Sequence, residues 1–221
     1  MRKIDKIYVH CSASMIGTVE SIRQFHITSP PNGRGWKDIG YHYVITNPYK
    51  TFEDLVEDSP DVDYDGRIFQ GRPIEVPGAH VGKFRTAPGD NATSIGICLV
   101  GGLVGDLGKY DLEFKYGKIP LAMEWNPFTT KQLDSLFWLL DKLLNGLCPI
   151  ISLSGLKILS DGAVSGGLNY KTVDMKLKVS DVYGHNESAS GKAQGKKCPE
   201  IDMNWIREEL VKRIDKVKVI V

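Results

Sequence analysis

Three side chains of types that bind transition metals stand where the local pattern of the chain changes. His10 closes an apolar run, His185 closes a later one, and Cys198 follows His185 by 13 positions in a loop. Two imidazoles and a thiolate form a three-ligand set suited to catalytic zinc, which keeps a fourth position open for water or substrate. With two neutral His and one thiolate, such a centre would keep a net positive charge and remain a Lewis acid. The same residues allow a second chemistry. Cys198-Pro199 precedes a helical pattern, and a thiol at a helix N-terminus with His185 as base is the layout of a cysteine hydrolase. That reading leaves His10 without a role. Residue types alone do not separate these chemistries from ordinary packing.

Bringing these side chains together requires strand ends and a loop to converge. Ile7-Tyr8-Val9-His10 reads as a short buried strand. Thr18 to Thr28 reads as a helix carrying Val19, Ile22, Phe25 and His26 at helical spacing, stopped by Pro30-Pro31, with His26 in a structural role. Tyr41 to Thr46 and Ser94 to Val100 read as further strands, the latter ended by Gly101-Gly102. The clearest helix runs from about Thr130 to Asn145. Thr129 with Gln132 makes a capping box there, and Phe128 with Leu133 a hydrophobic staple. Leu133, Leu136, Phe137, Leu140, Leu143 and Leu144 form one apolar stripe, and Asn145-Gly146 ends it. Val179 to His185 reads as a strand. Asp202 caps a last helix to about Ile214 that buries Trp205 or Ile206, Leu210 and Ile214, and residues 217–221 suit an edge strand. Interleaved strands and helices predict an α/β fold, a central mixed β-sheet flanked by helices.

The chain has 221 residues, of which 42% are hydrophobic and 25% charged, enough for one domain with a full core. Lys plus Arg number 28 against 27 Asp plus Glu, so the formal net charge is +1. That balance excludes the electrostatics of a dedicated nucleic-acid binder or a polybasic membrane anchor. Cysteines at 11, 98, 148 and 198 form no CxxC pair, which argues against a disulfide framework or a zinc knuckle; Cys11 and Cys98 read as small buried hydrophobes. Asp5 and Lys6 interrupt the N-terminal apolar run, so no signal peptide is expected, and no stretch approaches the roughly 20 apolar residues of a membrane span. The expected place of synthesis is therefore the cytoplasm. The acidic stretch Glu53, Asp54, Glu57, Asp58, Asp61, Asp63 and Asp65 reads as a solvated surface loop. A calcium loop is the alternative, but its twelfth position would be Arg72 rather than Glu.

The words around the candidate ligands narrow the choice. VHCSAS at 9–14, GWKDIGYHYVI at 35–45, GAHVG at 78–82, NATSIGICLVGG at 91–102, FTTKQLDSL at 128–136 and GHNE followed by KKCPEID occur in one order. Together they resemble the zinc-dependent N-acetylmuramoyl-L-alanine amidases of the phage-lysozyme type, relatives of the peptidoglycan-recognition proteins. The resemblance implies Zn2+ held by His10, His185 and Cys198. It implies catalytic roles for Tyr41 and for Lys196, with Lys197 as the near competitor because the loop 188–197 is longer than in close relatives. The Lys ammonium would stabilise the oxyanion of the transition state, and the Tyr hydroxyl would hydrogen-bond the water or the oxyanion. His80 in GAHVG is expected to line the substrate cleft. His42, next to Tyr41 on a strand, is expected on the opposite face, as packing or as a lesser substrate contact. Glu187 is either an orienting partner of His185 or a surface residue.

The implied reaction is hydrolysis of the amide between N-acetylmuramic acid and L-alanine, and the implied partner is bacterial peptidoglycan or its muropeptides. The implied biology is a phage endolysin, made in the host cytoplasm and released onto the wall. A binding module that holds peptidoglycan without cutting it is the main rival. Stretches 47–66, 103–127 and 147–178 fall outside the resembling words and read as insertions into a single domain spanning 1–221.

Overall fold

A computed structural model describes residues 2–82, 90–102, 113–114, 117–118, 128–159 and 163–219. The elements run β1 (Lys6–Cys11), α1 (Val19–Ile27), β2 (Tyr43–Ile45), α2 (Phe52–Val56), β3 (Ile68–Gln70), β4 (Ser94–Leu99), β5 (Glu113–Phe114), β6 (Gly117–Lys118) and α3 (Thr130–Leu144). They continue with β7 (Leu147–Ile151), β8 (Lys157–Ile158), β9 (Val164–Ser165), β10 (Leu168–Thr172), β11 (Val182–Gly184), α4 (Ala189–Ala193) and α5 (Met203–Val219). Five strands form the central sheet in the order β11-β1-β4-β2-β3. All neighbours in it are parallel except β2 and β3, so the sheet is mixed, as the interleaved pattern predicts.

Alternation along the strands sorts side chains onto two faces. Ile7 and Val9 of β1, with Ile95, Ile97 and Leu99 of β4, join the larger core. Against them pack Leu136, Leu140 and Leu143 of α3 and Ile206 and Leu210 of α5. The alternate positions Tyr8 and His10 of β1, and Ser94, Gly96 and Cys98 of β4, fall on the other face. A smaller cluster of Val19, Ile39, Val44, Phe69, Cys98 and Val100 covers part of that face. His10 stands on the rest of that face and is buried.

Helix α3 follows its local signals closely. The Thr129 hydroxyl accepts from Gln132 N–H, and the Gln132 side chain accepts from Thr129 N–H. Helix α1 is capped by Thr18 and buries Val19 and His26, but Phe25 is 48% exposed. The second strand is shorter than expected, so Tyr41 and His42 precede it rather than lying on it. The late strand also contracts to β11, with single 3-10 turns at Val179–Asp181 and His185–Glu187 on either side. The expected C-terminal edge strand does not form: α5 continues to Val219, because no breaker follows Ile214. Residues 220 and 221 lie outside the described residues. No described helix is long and apolar enough to cross a membrane.

The segment 147–178 is not a loop draped over the core. Strands β7 and β10 pair antiparallel, as do β8 and β9. Cys148, Ile151, Leu156, Val173, Met175 and Leu177 enter the larger core. Leu156 exchanges both backbone hydrogen bonds with Ile68, which covers the outer edge of β3. In the segment 47–66 each alternating acid has a partner of its own. Asp61 pairs with Lys50 and Asp63 with Lys157, while Asp65 accepts from the Thr129 hydroxyl. The expected insertion 103–127 lies outside the described residues apart from β5 and β6.

Candidate metal centre

His10 leaves the C-terminal end of β1 and is buried. Its Nδ1 lies 3.9 Å from Cys198 Sγ, and its ring centroid is 4.7 Å from that of His185. One ligand atom from each of His10, His185 and Cys198 lies within 4.8 Å of the other two. Among the described residues this is the only such group of three. Parallel pairing of β1 with β11 explains half of the convergence, since Val9 is in register with Gly184 and both strands end at the same edge. Cys198 arrives from the loop after α4, and Asn186 N–H donates to the Cys198 carbonyl, tying loop to turn.

The donor set fits a divalent metal such as zinc. His185 Nε2 is buried with no hydrogen-bond partner, an unsatisfied polar atom of the kind a metal would satisfy. Cys198 Sγ accepts the backbone N–H of Cys11 at 3.2 Å, a contact that suits a thiolate. Burial holds His10 well below the usual imidazole range, with the nearby His185 adding to the effect. Burial and the Lys196 charge lower His185 to about 4, so both rings are neutral at pH 7. On protein groups alone the Cys198 thiol is pushed up, first by its hydrogen bond with Cys11 and then by burial. A thiol nucleophile needs the reverse, whereas a coordinating divalent cation deprotonates the thiol outright.

A cleft of about 1400 Å³ is lined by His185 and Cys198, with Tyr41, His80, Trp36 and Lys196, and His10 is buried behind its wall. Tyr41 packs on His10 with ring centroids 5.2 Å apart, and burial raises its phenol well above the usual value, so it keeps its proton. Lys196 and Lys197 are both exposed and both line the cleft, but it is the charge of Lys196 that acts on His185. His80 is buried beneath the cleft, its Nδ1 2.9 Å from His10 Nε2. His42 is 0% exposed and is not among the residues that line the cleft. Its Nδ1 accepts from Gly96 N–H, and its Nε2 lies 3.0 Å from Val76 C=O and 2.9 Å from the Arg2 guanidinium. Glu187 does not orient His185 directly. It accepts from Gly184 N–H and forms a two-point ion pair with Arg207, fastening the turn to α5. His26 also reaches the cleft wall, stacked on Trp36 with centroids 4.6 Å apart. Sequence periodicity placed His26 on the helix stripe, and only the packing of Trp36 shows that the stripe ends at the cleft.

Residues 1–201 match the family of N-acetylmuramoyl-L-alanine amidases, and the chain belongs to that family. Among its relatives are phage endolysins. It is 37% identical over 114 residues to the endolysin of Escherichia phage T7, covering 50% of this chain and 56% of that protein. It is 34% identical over 105 residues to the endolysin of Klebsiella phage KP32, covering 46% and 51%. The chain thus spans about half the length of the curated relatives it matches. Among solved structures it is similar to the N-acetylmuramoyl-L-alanine amidase LysC from Clostridium intestinale, with TM-score 0.50 and 19% identity over 97% of this chain and 87% of that one. It is also similar to AmpDh3 from Pseudomonas aeruginosa, with TM-score 0.52 and 18% identity over 96% and 60%. At that identity the likeness is one of fold.

Proposed function

We propose that this protein is a zinc-dependent peptidoglycan hydrolase of the endolysin type. It cleaves the amide between the lactyl group of N-acetylmuramic acid and the L-alanine of the stem peptide. The observation that carries the reading is the convergence of His10, His185 and Cys198 within 4.8 Å, with His185 and Cys198 lining a cleft. Family membership supplies the reaction class. In this reading His10, His185 and Cys198 hold Zn2+, which supplies Lewis acidity, acidifying water and polarising an amide carbonyl.

The protein's own groups do the rest. Neutral His10 and His185 offer lone pairs rather than protons. Tyr41 keeps its phenol proton and packs against His10, and in this reading it would donate a hydrogen bond to the oxyanion as charge develops on the amide oxygen. Lys196 brings a positive charge to the same side, which stabilises the transition state more than the neutral ground state. The cleft holds a glycopeptide strand across these groups, and the substrate is bacterial peptidoglycan or soluble muropeptides. The protein is made in the cytoplasm of an infected host and reaches the wall on release, acting as one amidase domain.

The test pairs metal analysis with product analysis. Purified protein should contain about one zinc per chain and release free stem peptides from muropeptides. His10→Ala and Cys198→Ser should lose zinc and cleavage together. Bound zinc without amide cleavage would instead identify a peptidoglycan-binding module.

A further inference from the structure

The residue behind His10 has a more defined task than lining a cleft. His80 is buried, and its two ring nitrogens face two different partners. Nδ1 lies 2.9 Å from His10 Nε2, and Nε2 lies 3.4 Å from Ser94 Oγ. The Ser94 hydroxyl has one proton, and it goes to the Asp90 carbonyl at 2.6 Å. Toward His80, Ser94 is therefore an acceptor, so the proton of the His80 ring sits on Nε2. That leaves His80 Nδ1 as a lone pair, able to accept only from His10 Nε2–H. His10 then has its own lone pair on Nδ1, the atom that faces Cys198 Sγ. From this chain of donors, and resting on the zinc reading above, we propose that His80 is a positioning residue: through Ser94 and the Asp90 carbonyl it fixes the tautomer of His10 that presents Nδ1 to the metal.

The surroundings hold His80 to this arrangement. Asn91 Oδ1 accepts the backbone N–H groups of both His80 and Val81, and the Asn91 amide donates to Gly82 C=O. The ring lies flat against β4 at Gly96, where a Cβ would come within 2.6 Å of its Cγ and Cδ2. His42 packs edge-on at 5.8 Å, and its nitrogens face Gly96 N–H, Val76 C=O and the Arg2 guanidinium, so it does not compete for His80. Asp90 is anchored in turn by the Tyr8 hydroxyl and by Lys6. Partners of this kind behind a metal-bound imidazole are worth about 10–100-fold in metal affinity.

The test reads zinc affinity by competition with a chromophoric chelator, which needs no turnover. His80→Leu should weaken Zn2+ binding by about tenfold or more. His80→Asn, whose Oδ1 can accept in place of Nδ1, should bind closer to the parent than to His80→Leu. Ser94→Ala should weaken binding in the same direction by a smaller factor. Nitrogen NMR of the metal-free parent should show His10 protonated on Nε2. Parental zinc affinity in His80→Leu, with only KM for muropeptides raised, would make His80 a substrate contact and overturn the proposal. Equal losses in His80→Leu and His80→Asn would also overturn it, because packing rather than an acceptor would then be responsible. Failure of the unaltered protein to bind zinc would remove the proposed function, and this inference with it.

Discussion

At the scale of single residues, the site is a set of groups whose protonation is set by burial. Two histidines outside the ligand set make that visible in stability. Burial, reinforced by Arg34 and Arg72 and opposed by Asp38, lowers His26 to about 4. Burial and the adjacent Arg2 lower His42 to about 3. Both values lie below the unfolded value near 6.5. The folded state therefore favours the neutral rings, and the stability they hold is present above about pH 6.5 and lost as pH falls toward about 4 and then 3. The urea midpoint should fall across that window, and His26→Gln should show a shallower fall; an unchanged slope would reject His26 as a contributor. In catalysis, Lys196→Ala should lower turnover by about 10²-fold or more with zinc retained, the scale of losing one oxyanion-stabilising group. Lys197→Ala should leave turnover within a few-fold. The reverse pattern would move the catalytic role one position along. The resemblance favours Lys196 with Lys197 as its near competitor, and the charge of Lys196 is the one that acts on His185.

At the scale of elements, legibility tracked how local the determinants were. Helix α3 was readable to its caps because Thr129, Gln132 and the leucine stripe interact within a few residues. Thr129→Ala should cost about 1 kcal/mol in denaturant unfolding without changing zinc affinity, since α3 lies across the sheet from His10. The strands within the segment 147–178 were not legible in the sequence. Its Gly and polar content described the exposed side, while the apolar residues that enter the core are scattered and pair only through β7–β10 and the contact of Leu156 with Ile68. The C-terminal β-branched run was misread as a strand for a related reason: it continues a helix already nucleated upstream. His42 was placed by strand alternation, but it lies before β2, in a stretch that takes its geometry from Gly96 and Val76.

At the scale of the whole molecule, zinc would join parts of the chain that are remote in sequence. His10 belongs to the first strand, and His185 and Cys198 to the last third of the chain. An ion bound only by the folded state stabilises it by about 2.7 kcal/mol at one hundred times its Kd. Removing zinc with a chelator should therefore lower the thermal midpoint by roughly 5–10 °C for a chain of this size, and stoichiometric Zn2+ should restore it. An unchanged midpoint would mean that the three residues do not share an ion. The near-neutral net charge also resolves into separate regions: Asp61 and Asp63 of 47–66 pair with Lys50 and Lys157, while Lys192, Lys196 and Lys197 stay exposed beside Cys198.

The sequence by itself determined the inventory: three ligand types, the ordered words that carry the family resemblance, the α/β alternation and the capped helix. Each of these is written in residue identity or short-range spacing. Tertiary structure alone decided which atoms face one another. It brought His10 Nδ1 to Cys198 and His10 Nε2 to His80, left His185 Nε2 without a partner, and took His42 out of the cleft. Those outcomes depend on parallel pairing of strands at opposite ends of the chain and on the bare face of Gly96. The direction of a hydrogen bond is a property of two groups in contact, and a sequence states only one of them at a time.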